Sequence, residues 1–396
     1  MTPLALALLA LTAASCGYWL LALFAVRRLL AHPPPAPPAL PPVSLLKPVR
    51  GLEPGARESF ESFLQVDYPE REVLFGVADP DDPVLPLLEQ LEAEHPALAI
   101  RIVVAPAPGP NRKAQLLEAL SRAARFDVLV ATDADMRVAP SYLRDVVASL
   151  MAPGVGLVTC PYRGVAPASL PARLEALHMG VTFLPSAAMA SAIVGIPFAM
   201  GSTMALRRSD LQAVGGFGAL SDHLADDYEL GARVGALGRR VATCPHVVAS
   251  VLGRARFRDV WDREVRWSRC ARAGRPLGHA GYALTFTTPL ALAALAASGF
   301  APEGWAALAG SLALRWIVAT AAARATGDGA SLRALPLLPI RDCLTAAVWA
   351  TALVGRRVVW RGEAFEVDRA GRLHPLTAVT PAGAPAARST GRPAAR

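Results

Sequence analysis

Five stretches carry side chains able to do chemistry, and all five are charged. SDHLADDYELG, Ser221 to Gly231, sets Asp226, Asp227 and Glu229 close together where a turn runs into a helix. Asp226 followed by Glu229 has the spacing of an N-cap and its capping-type acid, which gives both a structural use. Capping asks for no further acid, so Asp227 is the expected general base for a hydroxyl proton. TDADM, Thr132 to Met136, places an Asp-X-Asp at a strand end. Asp133 and Asp135 would hold a hard divalent cation, Mg²⁺ or Mn²⁺, together with phosphate oxygens. Standing alone, that pair reads more simply as turn acids satisfying backbone N–H groups.

ADPDDP offers Asp79, Asp81 and Asp82 on a proline-stiffened loop, as acceptors for a uracil or ribose or as a polar turn. GPNRKAQ opens a helix at Asn111 with Arg112 and Lys113 near its positive end, a diphosphate contact or a solvated helix start. In RFRDVWDREVRWSRC, Arg256 to Cys270, helical spacing puts Arg263, Arg266 and Trp267 on one face. Arg266 would grip diphosphate oxygens and stabilise a leaving group, while Trp267 packs on sugar or acceptor. The structural alternative is a membrane-proximal helix with Trp267 at the interface. Taken together, the set meets the needs of moving a sugar from a nucleoside diphosphate to a hydroxyl. That reaction needs charge on the diphosphate neutralised, a base for the acceptor, and both substrates held close.

The elements that must position these groups alternate. Apolar strands are expected at Val43 to Pro48, Glu72 to Ala78, Ala99 to Val104, Asp127 to Thr132, Gly156 to Cys160 and Ser202 to Leu206, with helices between the early ones. Strands that end in acids, separated by helices, describe a parallel doubly wound sheet with its ligands outside the strands' carboxyl ends.

At 53% hydrophobic and 18% charged residues the chain is too apolar for an ordinary soluble protein and too polar for an all-membrane transporter. Leu4 to Val26 carries no formal charge and Arg27 and Arg28 follow it, the reverse of a cleavable signal. An uncleaved anchor with the next domain in the cytoplasm is expected. The net charge of +8 suits an anionic membrane surface, and no aromatic-basic pattern points to nucleic acid. Five scattered cysteines form neither a zinc set nor a disulfide framework. The expected division is an anchor (1–31), a proline-rich linker (32–42), an α/β domain (43–255), an interfacial Arg-Trp helix (256–280), membrane segments (281–355) and a tail (356–396) whose end, Thr380 to Arg396, is expected to be disordered.

Three apolar segments are expected after the Arg-Trp helix, Tyr282 to Phe300, Trp305 to Ala323 and Leu335 to Val354. Arg315, Arg341 and Asp342 within them must be paired or face protein. Counting all three as spans puts Arg356, Arg357 and Arg361 outside, against the positive-inside rule, and leaves open whether the last is re-entrant. Gly180 to Met200 is expected to be buried or interfacial, since a single crossing there would separate TDADM from LADDY, and Pro185 and Pro197 would break it.

The order SLLKPVRG, ADPDDP, TDADM, LADDYELG and REVRW resembles the ceramide glucosyltransferase family of membrane-bound, inverting nucleotide-sugar transferases. The resemblance runs from about Val43 to Val367 and includes FAMGSTMALRR, PIRD and VVWRGEAFEV. It implies a GT-A-like α/β sheet between an N-terminal transmembrane helix and C-terminal ones, with Asp82, Asp133, Asp227 and Arg263 to Trp267 at the site. It implies a UDP-sugar donor and a lipid acceptor. The motifs resemble most the bacterial hopanoid-biosynthesis branch, which implies a bacterial inner membrane and N-acetylglucosamine transfer to a hopanoid lipid. The full Asp-X-Asp departs from the single-acid form of some eukaryotic members, so a metal requirement does not carry over from them. A processive polysaccharide synthase shares the acids but has Gln where Arg263 stands and more spans; a non-catalytic scaffold would have no need to keep every acid.

Overall fold

The computed structural model describes residues 1–37, 39–195, 198–360, 363–368 and 370–376. Pro197 and the tail from Thr380 onward lie outside them. The central sheet is built from β1 (Val43–Val49), β2 (Arg71–Val77), β3 (Ala99–Val104), β4 (Val128–Ala131), β6 (Val155–Thr159), β8 (Met204–Arg207) and β9 (Arg240–Thr243). Its order is β3-β2-β1-β4-β8-β6-β9. Every residue of β1 is buried, as a nearly continuous apolar run requires when both sheet faces are covered. One face packs Phe60, Phe63, Leu88 and Val146 against it, the other Leu117, Leu120, Leu230 and Val234.

The sheet is mixed rather than all parallel. β3, β2, β1 and β4 run parallel, but β8 runs antiparallel to both β4 and β6. The chain reaches β8 after a long excursion through a helical segment, not through one crossover helix, and enters at the carboxyl edge, where Met204 pairs with Ala131. This reversed entry brings Gly201 beside Asp133.

A second sheet, β5 (Met136–Arg137), β10 (Val248–Gly253) and β7 (Tyr162–Pro167), lies against that edge in the order β5-β10-β7. A third, β11 (Arg357–Trp360), β12 (Glu363–Val367) and β13 (Leu373–Pro375), is an antiparallel meander. It packs Val358, Phe365, Val367 and Leu373 against Leu224 and the Arg-Trp helix residues Cys270 and Ala273. Its last strand is stitched to the loop before the acid helix, with Leu224 N–H donating to Gly371 O and Leu373 N–H to Asp222 O.

Among the described residues three helices are long and apolar enough to cross a membrane, Pro3–Ala31, Leu170–Ile193 and Pro302–Ala325, and a bent pair makes a fourth if it counts as one span. The second is more than half buried inside the protein. Pro185 does not break it: a π-turn, Met179–Phe183, precedes Leu184–Val194, and the wider turn takes up the missing donor and the ring. The bent segment is the first of the C-terminal three, Pro276–Thr285 and Thr287–Ala297 meeting at 64°. The last, Leu338–Leu353, has 16 residues, a rise of about 24 Å that falls short of a 30 Å hydrocarbon core.

Candidate active site

The carboxyl edge of β4 and the start of the acid helix Asp226–Ala236 face each other across Gly201. Gly201 N–H donates to Asp227 Oδ2 at 2.9 Å, and Gly201 O accepts from Asp133 N–H at 3.2 Å. One peptide segment therefore fixes the Asp-X-Asp loop relative to Asp227. A Cβ on Gly201 would lie 2.7 Å from Asp133 Oδ2 and 2.9 Å from Lys113 Nζ, so any side chain here would displace the Asp133–Lys113 pair. Asp227 Oδ1 also accepts from Tyr228 N–H. Burial pushes Asp227 up to about 6 and the charge of Asp226 adds to this, while Lys113 pulls the other way.

Asp135 accepts a 2.6 Å hydrogen bond from Ser250 on β10. Burial, followed by the charge of Asp133, pushes it up to about 6. Beneath the pair lies Lys47 at the end of β1, fully buried, with Nζ donating to Thr132 Oγ1 and to the Asp133 carbonyl. It also stands 3.6 Å from the Phe63 ring centroid, and burial pushes its ammonium down to about 7. Lys113 stands inside the cluster, 2.7 Å from Asp133 Oδ1 and 3.4 Å from Asp226 Oδ2. The expected diphosphate contact is thus engaged with acids in this structure.

Asp226 is not the N-cap. Ala225 holds that position and caps nothing with its side chain, while Asp226 begins the helix. Its carboxylate is 6% exposed, accepts from Asn111 Nδ2 at 3.3 Å, and keeps Oδ2 without a hydrogen bond. Glu229 pairs with Arg233 and faces His223 instead of closing a capping box. The elimination that left Asp227 as the lone chemical acid therefore fails for Asp226, which belongs to the same cluster.

Asp82 is buried and spends both oxygens on Gly51 N–H, with Oδ1 also taking Val84 N–H. It ties the loops after β1 and β2 together. Asp79 is exposed and accepts from Asp81 N–H in a local turn. Two residues that sequence motifs did not single out belong here. Gly201 was visible only as part of FAMGSTMALRR. Tyr162, first in β7, has its phenol pushed upward by burial and then by the charges of Asp227, Asp133 and Asp135, so it lies within range of all three.

The Arg-Trp helix, Phe257–Gly274, is held from behind by paired charges. Arg263 Nε and Nη2 each donate at 2.6 Å to Glu175, which is wholly buried. The next residue, Glu264, receives Arg341 through two 2.8 Å bonds. The residue after Arg341, Asp342, meets Arg315 at 3.3 Å and Thr288 Oγ1 at 2.9 Å. Arg315 also donates to Val181 O and Thr182 Oγ1 and lies 3.8 Å from the Trp19 ring centroid. Every intramembrane charge raised by the sequence thus has a partner. One turn further along the helix from Arg263, Arg266 lies over the Trp360 ring at 5.8 Å, and Trp267 is half-buried.

The residues present suit a hard cation: two carboxylates on one strand end, with Asp226 Oδ2 nearby, which accepts no hydrogen bond and is paired with the Lys113 ammonium at 3.4 Å. Among the described residues no group of three His, Cys, Asp or Glu is arranged to hold a metal ion, so phosphate oxygens would have to complete its shell.

A mixed sheet of this order, with acids at its carboxyl edge and an Arg-Trp helix beside them, defines a GT-A-like glycosyltransferase set among apolar helices. The mannosyltransferase PcManGT from Pyrobaculum calidifontis, solved with GDP-Man and Mn²⁺, shares this fold, with a TM-score of 0.54, 24% identity and coverage of 88% of this chain and 99% of that one. The profile of glycosyl transferase family 21 matches residues 7–373, and the chain belongs to that family. Ceramide glucosyltransferase 1 of Caenorhabditis elegans is 21% identical over 359 residues, 87% of this chain and 75% of the relative. A ceramide glucosyltransferase of Gibberella zeae is 29% identical over 149 residues, 33% of this chain and 28% of the relative. The protein is accordingly an enzyme, a hexosyl-transferring glycosyltransferase.

Proposed function

We propose that the enzyme transfers glucose or N-acetylglucosamine from a UDP-sugar to the hydroxyl of a membrane lipid, with inversion at the anomeric carbon. The observation that carries this reading is the Gly201 bridge, which holds Asp227 and the Asp-X-Asp loop at a fixed separation. Asp227 takes the acceptor hydroxyl's proton as the acceptor oxygen forms its bond to the anomeric carbon. The bond from that carbon to the diphosphate breaks, and its electron pair leaves with UDP. An acid held near 6 is mostly ionised at neutral pH yet more basic than an ordinary carboxylate, which suits a base that must be free before it accepts.

Asp133 and Asp135 would hold Mg²⁺ or Mn²⁺, which supplies positive charge against the diphosphate. Arg266 adds to that charge, and Trp267 packs against sugar or acceptor. Arg263, locked on Glu175, sets the height of the helix that carries both. Asp79 and Asp82 shape the loop that receives the nucleoside, with the Asp82 carboxylate tied to the backbone. The names of the relatives support a lipid acceptor, and the apolar helices support a membrane setting; Arg27 and Arg28 at the end of the first of them favour the cytoplasmic face for the catalytic domain. The FAMGSTMALRR and LADDYELG motifs favour a hopanoid polyol over ceramide.

The test incubates detergent-purified protein with radiolabelled UDP-glucose or UDP-N-acetylglucosamine and hopanoid, ceramide or diacylglycerol acceptors. Lipid-soluble label with wild type and none with Asp227→Asn is expected. Free sugar alone, or label in a polymer, would overturn lipid transfer.

A further inference from the structure

The acid cluster contains Asp133, Asp135, Asp226 and Asp227, and the cation set among the carboxylates themselves is Lys113. Lys47 lies below and gives its hydrogen bonds to a hydroxyl and a carbonyl. The Lys113 ammonium reaches one acid from each side of the site, Asp133 from the strand end and Asp226 from the acid helix. It does so from the first turn of the helix Arg112–Ala123, whose N-cap Asn111 itself donates to Asp226 and to His223 O. Gly201 closes over the pair with no space to spare. Both contacts mark this as a cation position: 2.7 Å to Asp133 Oδ1, and 3.4 Å to the buried Asp226 Oδ2, which accepts no hydrogen bond and has the ammonium as its counter-charge.

We propose that Lys113 competes with the divalent cation for Asp133, and so makes cation binding depend on the nucleotide diphosphate. This rests on the reading above that Asp133 and Asp135 hold such a cation. An ammonium and a divalent ion on one carboxylate repel each other strongly at this range. In the absence of donor the tethered ammonium has the advantage, because its helix places it there without loss of translational freedom. A diphosphate changes the balance in two ways. Its oxygens complete the metal's shell, which the protein's acids do not, and they offer the ammonium another partner. Lys113 would then serve the free enzyme by holding the strand end and acid helix together, and the loaded enzyme by helping to bind the diphosphate.

The test measures Mn²⁺ binding by electron paramagnetic resonance of free Mn²⁺, on the full chain in detergent, with and without UDP. Without UDP, Lys113→Met should bind Mn²⁺ about tenfold more tightly than wild type, since a like charge at contact distance has been removed. Lys113→Arg, which keeps the charge, should stay close to wild type. With UDP the difference between Lys113→Met and wild type should largely close. If Lys113→Met binds no more tightly than wild type while Asp133→Asn loses Mn²⁺, the competition is overturned and the metal site stands. If wild type binds no Mn²⁺ even with UDP, the metal reading itself fails and takes this inference with it. Should Lys113→Met not fold, wild type alone still decides against the idea when its Mn²⁺ affinity is the same with and without UDP.

Discussion

The acid cluster and the ion-pair ladder behind the Arg-Trp helix use the same residue types to opposite ends. In the ladder each carboxylate meets a guanidinium: Glu175 with Arg263, Glu264 with Arg341, Asp342 with Arg315. Two of these contacts are bidentate, and all the groups except the partly exposed Arg263 are almost wholly buried, so the charge is complete within the protein. In the cluster, four acids surround one lysine that serves two of them, and the second lysine bonds to neutral oxygens. The complete set is a brace that fixes a helix. The incomplete set is a site, because its excess negative charge is stabilised only when something positive arrives.

The largest expected contrast comes from removing one acid on each side. Asp227→Asn should lower turnover by about 10²–10⁴-fold, the usual worth of a general base, with only a small change in thermal stability, since the loss of a buried like charge offsets the one backbone N–H, of Gly201 or Tyr228, that the amide cannot accept. Glu264→Gln should instead cost about 3–5 kcal/mol in unfolding free energy, because the Arg341 guanidinium is left buried without a counter-charge. Replacing both partners, Glu264→Leu with Arg341→Met, should restore most of that stability, whereas no apolar pair should restore an emptied acid cluster. Denaturant titration in detergent and initial rates separate the two outcomes.

Next in size is Gly201→Ala. The new methyl group would press on Asp133 and Lys113 and move the strand end relative to Asp227, so turnover should fall by about 10²-fold with the fold retained. The smallest effect is on pH. With Asp227 held at about 6, protonation removes the base as pH falls through that value, and kcat/KM should show an acid limb there. Asp226→Asn removes the neighbouring negative charge, which favours the ionised form, so the limb should move to lower pH. A limb unmoved by that change would put the titration elsewhere.

The strand and helix positions were legible because apolar periodicity is a local property: β3 and the Asn111 N-cap lie where the sequence puts them. Strand direction is not local, and nothing within Met204–Arg207 tells that β8 runs against its neighbours. The Asp226 reading failed for a similar reason. Spacing suggested a cap, but the side chain's partners, Asn111 and Lys113, sit on a helix far back in the chain. The ladder left a trace, since Arg263-Glu264 and Arg341-Asp342 are adjacent opposite charges in apolar surroundings, yet the pairing itself needs the folded backbone. Pro185 misled because a proline stops a regular helix, whereas here the turn before it is not regular. Gly201 could not be told from any other glycine until two hydrogen bonds and the absence of a Cβ were seen together.

The stitch between β13 and the loop before the acid helix also bears on biosynthesis. Residues 371–373 hold Asp222 and Leu224, a few positions ahead of Asp227. The sheet emerges from the ribosome in order, and its strands and the Asp-X-Asp loop can settle early. The loop before the acid helix is held on one side by Asn111, but its hydrogen bonds to residues 371–373 form only once the last described strand has been made. On the proposed function, the nascent chain has its donor-binding scaffold before its acid loop is complete. A chain ending before Gly371 should insert and bind UDP yet turn over slowly, so that release from the ribosome, not membrane entry, marks the onset of activity.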